Sequence, residues 1–382
     1  MEQWKEYKLG DISNMKYGKL PPKQNNGSYP IWSGYRNVGF ATTYNCRKGT
    51  IIVVARGVGG TGDVKISSED CFLTNLSIAV ELDNKICEPL YFYYKYKLSN
   101  LRYLDTGSAQ SQITIDDLKR LSLKLPPLEE QKRITEILSS IDYKIELNRR
   151  INDNLEQQAQ ALFKSWFVNN PNPNWREATL SEVAHFIGGY SYNGEELTDS
   201  SNVAMATIKN FGRNGGFKVD GFKDITPLGK LKECHYANMF DILVAHTDLT
   251  QNADVIGNAE LLLTKGNYES IIFSMDLVKV LPNNSFPYKF LLAAMLKSKV
   301  FKGHCLGYVN GTTVLHLSKK ALPEFEIKIP SESEANMMND TLASLYKRMA
   351  EVLQENDRLT RLRDTLLPKL ISGELKINDL NC

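Results

Sequence analysis

From residue 129 to residue 168 the chain contains neither Gly nor Pro, and apolar residues recur at helical spacing. One seam position reads Ile134, Ile141, Asn148, Leu155, Leu162. The next reads Leu138, Ile145, Asn152, Ala159, Trp166. Adding 204 to each number gives Met338, Leu345, Val352, Leu359, Leu366 and Leu342, Met349, Asn356, Arg363, Leu370. An apolar stripe held over about four heptads, twice, predicts two long helices that pair as a coiled coil. Asn152 and Asn356 take equivalent seam positions. A buried Asn fixes register, because a slipped partner leaves its amide unpaired; otherwise both face solvent.

The helix ends are legible. Pro126-Pro127 blocks an earlier start, since proline lacks an N–H and disfavours helix before it. Glu129 and Glu130 fall in the first turn, where the helix dipole favours them. The run NNPNPN (169–174) breaks the first helix. Pro368 should kink the last turn of the second, and Gly373 should stop it.

The rest of the chain repeats too. LSLKLP (121–126) matches FEIKIP (325–330) at the shift of 204, with Gly107 on Gly311, Ile113 on Leu317 and Leu118 on Leu322. EPLYFYY (88–94) resembles FPYKFLL (286–292) at 198. TIIVVAR (50–56) resembles DILVAHT (241–247) near 191. YKLGDI (7–12) resembles EATLSEV (177–183) at 171. Four matches in one order, with one steady drift, read as duplication with about 33 extra loop residues in the second copy. Each copy mixes strands (50–55, 73–80, 121–125; 241–245, 271–280, 323–329) with a short helix after Pro89 or Pro287. The expected fold is α+β: two globular segments, each followed by a long helix, with the helices antiparallel and the segments at opposite ends of the pair. The boundaries read 1–128, first globular domain; 129–168, helix; 169–175, linker; 176–330, second globular domain; 331–375, helix; 376–382, tail.

The net charge of +2 hides an uneven split. Residues 1–128 hold 17 Lys/Arg against 12 Asp/Glu, and residues 172–330 hold 16 against 16. This is no strongly basic nucleic-acid binder, so any DNA contact uses local patches or a partner's help. No apolar run approaches the ~20 residues of a membrane helix, and MEQWKEYKLG lacks the features of a secretory signal; a soluble, cytoplasmic protein is expected. The six cysteines are scattered with no CxxC, which argues for reduced thiols rather than a zinc ribbon or redox motif. His235 follows Cys234, but no second ligand pair lies nearby, and no metal site is expected.

GVGGTG (57–62) formally satisfies GxGxxG after a strand. The next residues, DVKISSEDCFL, open no phosphate-binding helix, and the second copy has no glycine cluster there. The glycines read better as a loop that lets backbone approach another surface closely. There is no GxxxxGK[ST], HExxH or GxSxG, and the five histidines are scattered. Asp116-Asp117 and Glu195-Glu196 read as capped or solvated turns. No catalytic residue is assigned.

PPLEEQKRI (126–134), SIDYKIELNRRINDNLEQQAQALFKSWFV (140–168) and LRDTLLPKLISGEL (362–375) closely resemble the two spacer regions of type I restriction–modification specificity subunits. The globular segments fall where that family has its target recognition domains. IPSESEA (329–335) departs from the PPLxEQ form, so the second helix entry is expected to be less regular. The resemblance implies that each domain reads one half of a bipartite site in double-stranded DNA, and that the coiled coil sets the gap. It implies two docked methyltransferase subunits that modify adenine N6 with S-adenosylmethionine, and a restriction subunit using ATP and Mg. This chain then supplies specificity and no chemistry.

Sequence readout needs Arg or Lys at guanine and Asn or Gln at adenine. Candidates in the first half are Arg36, Arg56, Lys65, Gln110 and Gln112; in the second, Lys209, Asn210, Arg213, His246, Thr247, Asn310 and Thr312. LYFYYKYK (90–97) suggests base stacking, but its counterpart FLLAAMLK (290–297) makes core the better reading, with Phe92 and Phe290 inside. The seam residues expected to pack are Ile134, Leu138, Ile141, Ile145, Asn152, Leu155, Leu162, Leu342, Leu345, Met349, Asn356, Leu359 and Leu366. Two other classes stay open: a coiled-coil scaffold without DNA readout, and an enzyme whose site is spread over loops.

Overall fold

The computed structural model describes residues 4–21, 26–34, 36–57, 60–105 and 111–377. Gly107 and Gln110 lie outside these residues, as do Val58 and Gly59 of the glycine loop. The chain divides into two compact units, Met1–Lys144 with Thr360–Cys382, and Ile145–Leu359. The architecture is α+β, and no helix among the described residues is long and apolar enough to cross a membrane.

In the first unit, one sheet runs Ser13–Tyr17, Ser77–Leu82, Ile51–Val54, Val64–Ile66. Its strand IIVV is buried at every position, which is why it reads as a continuous apolar run rather than an alternation. A second sheet runs Arg36–Ala41, Tyr29–Ser33, Phe72–Leu73, and Lys5–Lys8 pairs with Ser122–Leu125.

The second unit repeats this scheme. Its sheet runs Ala184–Gly188, Leu277–Pro282, Ile242–Ala245, Ala259–Leu261, and Arg176–Thr179 pairs with Glu326–Ile329. The register repeats as well as the order. Ile51 faces Val80 and Ile66, while Ile242 faces Val280 and Leu261. Tyr17 faces Ile78 and Gly188 faces Val278. A one-residue slip would flip every apolar side chain to the other face, so matched registers mean matched cores.

Residues 73–80 and 271–280, expected as single strands, are each broken. Phe72–Leu73 and Ser77–Leu82 belong to different sheets, as do Ser270–Phe273 and Leu277–Pro282. A turn closes each break: the Ser77 N–H donates to Thr74 O (3.1 Å), and Leu277 N–H to Ser274 O (2.9 Å). The chain crosses there from one sheet to the other, which periodicity does not register. Gly18 and Gly189 mark the same place, since a Cβ would sit 2.2 Å from Thr74 O and 2.1 Å from Ser274 O.

The central helix spans Leu128–Phe163 and closes in a wider π turn, Lys164–Asn169. The helical run thus extends through the expected residue 168, and in its last, wider turn Phe163 stacks on Phe167 (5.0 Å, 11°) while Phe167 packs on Trp175. The C-terminal helix spans Glu332–Ser372, runs through Pro368 and stops at Gly373, whose φ is +77. Its entry is regular, contrary to expectation. Ser331 donates its hydroxyl to the Glu334 carboxylate (2.6 Å), which also accepts the Ser331 N–H (3.0 Å) and the Trp175 indole N–H (2.9 Å). Capping chemistry here replaces the buried Gln131 of the first copy. That glutamine donates to Ile86 O and Pro126 O and accepts from the Glu88 N–H, each at 2.9 Å.

Each long helix contributes to both units. In the first, Ile134 and Leu138 share a core with Leu367 and Leu370, and Asp142 binds Lys97 and Arg363 at 2.8 Å each. Burial opposes the charge on Asp142, but these two cations hold its carboxyl below the usual range. In the second unit, Ala159 packs with Met338, Leu342, Tyr346 and Met349, and the helices run antiparallel there: Asn152 reaches Met349 while Asn148 reaches Asn356. Of the predicted seam, Ile134, Leu138, Ile141, Ile145, Leu342 and Met349 are buried. Asn152, Leu155, Leu162, Leu345, Asn356, Leu359 and Leu366 are half-buried. Phe92 is buried; Phe290 is half-buried and stacks on Tyr346.

Candidate nucleic-acid interface

In the first unit the strand Ile51–Val54 leads into Arg56, which forms an antiparallel bridge with Gln112. The Ile113 N–H donates to Ala55 O at 2.9 Å, so Arg56 and Gln112 are a non-hydrogen-bonded pair, the kind whose side chains project close together. Arg56 is exposed and Gln112 half-buried. Asp105 anchors this segment, accepting the Gln112 N–H (2.8 Å) and the Ser111 hydroxyl (2.5 Å).

The second unit builds the same ladder position from other residues. Thr247 faces His316, and His316 faces Asn310 on its other side. The Leu317 N–H donates to His246 O at 2.9 Å, which matches the Ile113–Ala55 bond under the shifts of 204 and 191. His316, Asn310 and Thr312 are exposed. Gln251 donates to Thr312 O (2.6 Å). The loop carrying Gln251 and the exposed Leu249 is held by Asp248, which accepts the N–H groups of Thr250 (2.8 Å), Val255 (2.6 Å) and Ile256 (3.2 Å). Burial opposes the Asp248 charge, but those donors keep its carboxyl below the usual range. His246 is half-buried; burial, then the nearby His316 and Lys319, push its imidazole below the ordinary histidine value.

Two candidates are corrected. Asn210 is fully buried: its amide donates to Lys218 O (2.7 Å) and accepts the Thr207 N–H (2.8 Å). Thr247 is buried with its hydroxyl donated to Asp276 (3.0 Å). Neither presents a free group to a DNA groove. Their residue types suit base readout, but burial commits them to the fold.

The remaining candidates separate. Lys209 is exposed. Arg213 is exposed and pairs with Asp254 (3.4 Å), in the loop that Asp248 holds. Arg36 begins the exposed edge strand Arg36–Ala41, which also exposes Val38 and Phe40. Lys65 is half-buried and lines a cavity of about 470 Å³ with Tyr93, Tyr96 and Asn100. Burial holds its amine below the usual lysine range, against the pull of Asp63. Gln110 lies outside the described residues. Sequence reasoning missed His316 and Gln251, although the shift of 204 from Gln112 lands on His316.

The glycine loop does bring backbones together. The Leu101 N–H donates to Gly62 O (2.8 Å), and a Cβ on Gly62 would lie 2.4 Å from the Arg102 nitrogen. The paired carboxylates sit in capping turns: Asp117 boxes with Thr114, and Glu196 with Asn193. Among the described residues no three His, Cys, Asp or Glu side chains converge as a metal site.

Comparison with known proteins gives one consistent answer. The family model described as "Type I restriction modification DNA specificity domain" matches residues 1–157 and again 172–367. The type I restriction enzyme HindI specificity subunit of Haemophilus influenzae is 27% identical over 326 residues, covering 69% of this chain and 71% of that protein. The MjaIX specificity subunit of Methanocaldococcus jannaschii is 24% identical over 404 residues, covering 98% and 89%. The crystal structure of a type I restriction–modification S subunit from M. genitalium superposes with a TM-score of 0.61 at 21% identity, covering 96% of each chain, and so shares the fold.

Proposed function

The chain belongs to the type I restriction–modification DNA specificity family, and from that membership we propose that it is the sequence-reading subunit of a type I restriction–modification complex. It reads a bipartite, asymmetric site in double-stranded DNA, one half through the domain 1–128 and the other through 176–330. The observation that carries this reading is the duplicated reader position: Gln112 beside Arg56 in one unit, and in the other His316 at the position equivalent to Gln112, flanked by Asn310 on the next strand. Arg suits guanine O6 and N7, and Gln or Asn suits adenine N6 and N7. Exposed cations such as Arg36 and Lys209 hold phosphates and set orientation without reading bases.

The chain itself is non-catalytic. Two modification subunits bind S-adenosylmethionine and methylate adenine, and a restriction subunit supplies ATP- and Mg-dependent cleavage. The first domain's modest positive charge and the second's neutrality mean that much of the phosphate affinity comes from these partners. Modification flips the target base out of the stack, so the readers must grip the duplex without enclosing it. The paired helices carry the spacing between half-sites, because a packed helix pair holds distance and phase where a flexible linker would not.

The test is single-molecule sequencing of methylated adenines in the source genome with and without this gene. A bipartite motif that vanishes with the gene is expected. A motif that persists unchanged, or a complex with the cognate modification subunit that protects duplexes without sequence preference, would overturn the reading.

A further inference from the structure

Cys46 and Cys71, 25 residues apart in sequence, face each other across an isolated antiparallel bridge in the first unit. Each backbone donates to the other: Cys46 N–H to Cys71 O at 3.0 Å, and Cys71 N–H to Cys46 O at 2.9 Å. Both side chains are buried, and the Cys46 sulfur lies 3.9 Å from Arg47 O. The Ser67 hydroxyl lies 3.4 Å from the Cys71 sulfur. The neighbouring Cys46 thiol holds Cys71 below the usual cysteine range, while Cys71 and burial push Cys46 up. Lys16 favours the thiolate, and Glu69 and Asp70 oppose it.

The fold does not need sulfur here. Under the shifts that relate the two units, Cys46 falls on Ala237 and Cys71 on Ile271. Those two residues face each other at the same ladder position of the second unit. The position asks for two small or apolar side chains, and only the first unit fills it with thiols.

We propose that Cys46 and Cys71 are a site of reversible covalent modification, closing to a disulfide when the protein meets hydrogen peroxide. The Cys71 thiolate attacks the peroxide O–O bond, giving a sulfenic acid and hydroxide. The Cys46 sulfur then displaces the sulfenic oxygen as water, forming the S–S bond. In sum two thiols lose two electrons and two protons, and one peroxide becomes two waters. Partners that exchange both backbone bonds sit with Cα atoms about 5.5 Å apart, within the disulfide range of about 4.4–6.8 Å. Their Cβ atoms lie somewhat further apart than a relaxed disulfide prefers, so the bond is strained and easily reduced, as suits a switch rather than a permanent staple.

Peroxide has a short path to the pair. Asn45 and Arg47, the chain neighbours of Cys46, line an open groove of about 800 Å³ with Lys16, Lys48 and Thr50. Closure would tie Cys46 covalently to the segment entering Phe72–Leu73. That strand already grips Asn45 (2.7 and 3.0 Å) and pairs with Tyr29–Ser33, the neighbour of the strand bearing Arg36.

The full chain, treated with peroxide, alkylated in denaturant and mapped as peptides without reductant, should yield a linked Cys46–Cys71 peptide that dithiothreitol abolishes. Of six thiols, those two should disappear together. The variant carrying both Cys46→Ala and Cys71→Ile, the pair the second unit uses, should fold normally and give no link. Recovery of Cys46 and Cys71 as alkylated thiols while the exposed Cys234 is oxidised would overturn the proposal. So would sulfinic acid on Cys71 without a link.

Discussion

Asn152 donates its side-chain amide to Met349 O at 3.3 Å, and Asn356 donates to Ile145 O at 3.2 Å. The two bonds exchange under the single shift of 204, since 152 maps to 356 and 145 to 349. The asparagines therefore do not pair with each other; each reads the backbone of the helix opposite. Asn148 breaks the symmetry, because its counterpart is Val352. It is buried and donates to Asn356 Oδ1 and Glu355 Oε2, each at 2.9 Å.

Asn356→Val removes the donor to Ile145 O and one of the two acceptors of buried Asn148. The expected cost is about 1–3 kcal/mol, the range for orphaning buried polar groups, seen as a lower urea midpoint with unchanged slope. An unchanged midpoint would show that this polar layer contributes nothing to register.

A four-residue insertion near Asn148 lengthens a helix by about 6 Å, or roughly two base-pair rises. The gap between half-sites should grow by one or two base pairs while each half-site sequence stays the same. A methylation motif with its original gap would contradict a spacing role for the helices.

Arg56→Ala should relax or weaken recognition at one half-site only, by about 1–3 kcal/mol. His316→Ala should act on the other half-site. Asn210→Ala should instead cost about 1–3 kcal/mol of folding stability and leave sequence preference alone, because that amide satisfies Thr207 and Lys218 inside the fold. Methylation motifs and urea titrations of the three variants separate these outcomes.

Glu334 accepts from the Ser331 side chain, the Trp175 indole, the Ser331 N–H and Asn172, which together pull its carboxyl down to about 2. The unfolded carboxyl titrates near the ordinary value of 4.5. Its contribution to stability is therefore fully present above that value and is lost as pH falls from about 4.5 toward 2. Glu334→Gln should flatten stability against pH in that window; an unaltered profile would show the cap to be energetically silent.

The duplication and the two long helices were legible in the sequence because helical periodicity and a steady alignment shift are properties of local sequence. The seam came from the same arithmetic: Leu138 and Leu342, 204 apart, are both fully buried. Strand breaks were not legible. Residues 73–80 are apolar enough to read as one strand, yet the turn at Thr74–Ser77 sends the two ends to different sheets. The reader candidates were chosen by residue type, and type does not report exposure. Arg56 is presented at a strand end, whereas Asn210, equally suited by chemistry, is sealed inside.

By itself, the order of residues determined the repeated plan, the positions of both helices and the stripe along which they pack, since each depends on neighbours within a few turns. Tertiary structure alone decided that Cys46 would face Cys71, that Gln112 would stand beside Arg56, and that Asn148 would find Asn356 rather than a valine. Those pairings join residues tens to hundreds of positions apart, and only the closing of sheets and the packing of helices brings such distant groups within hydrogen-bonding reach.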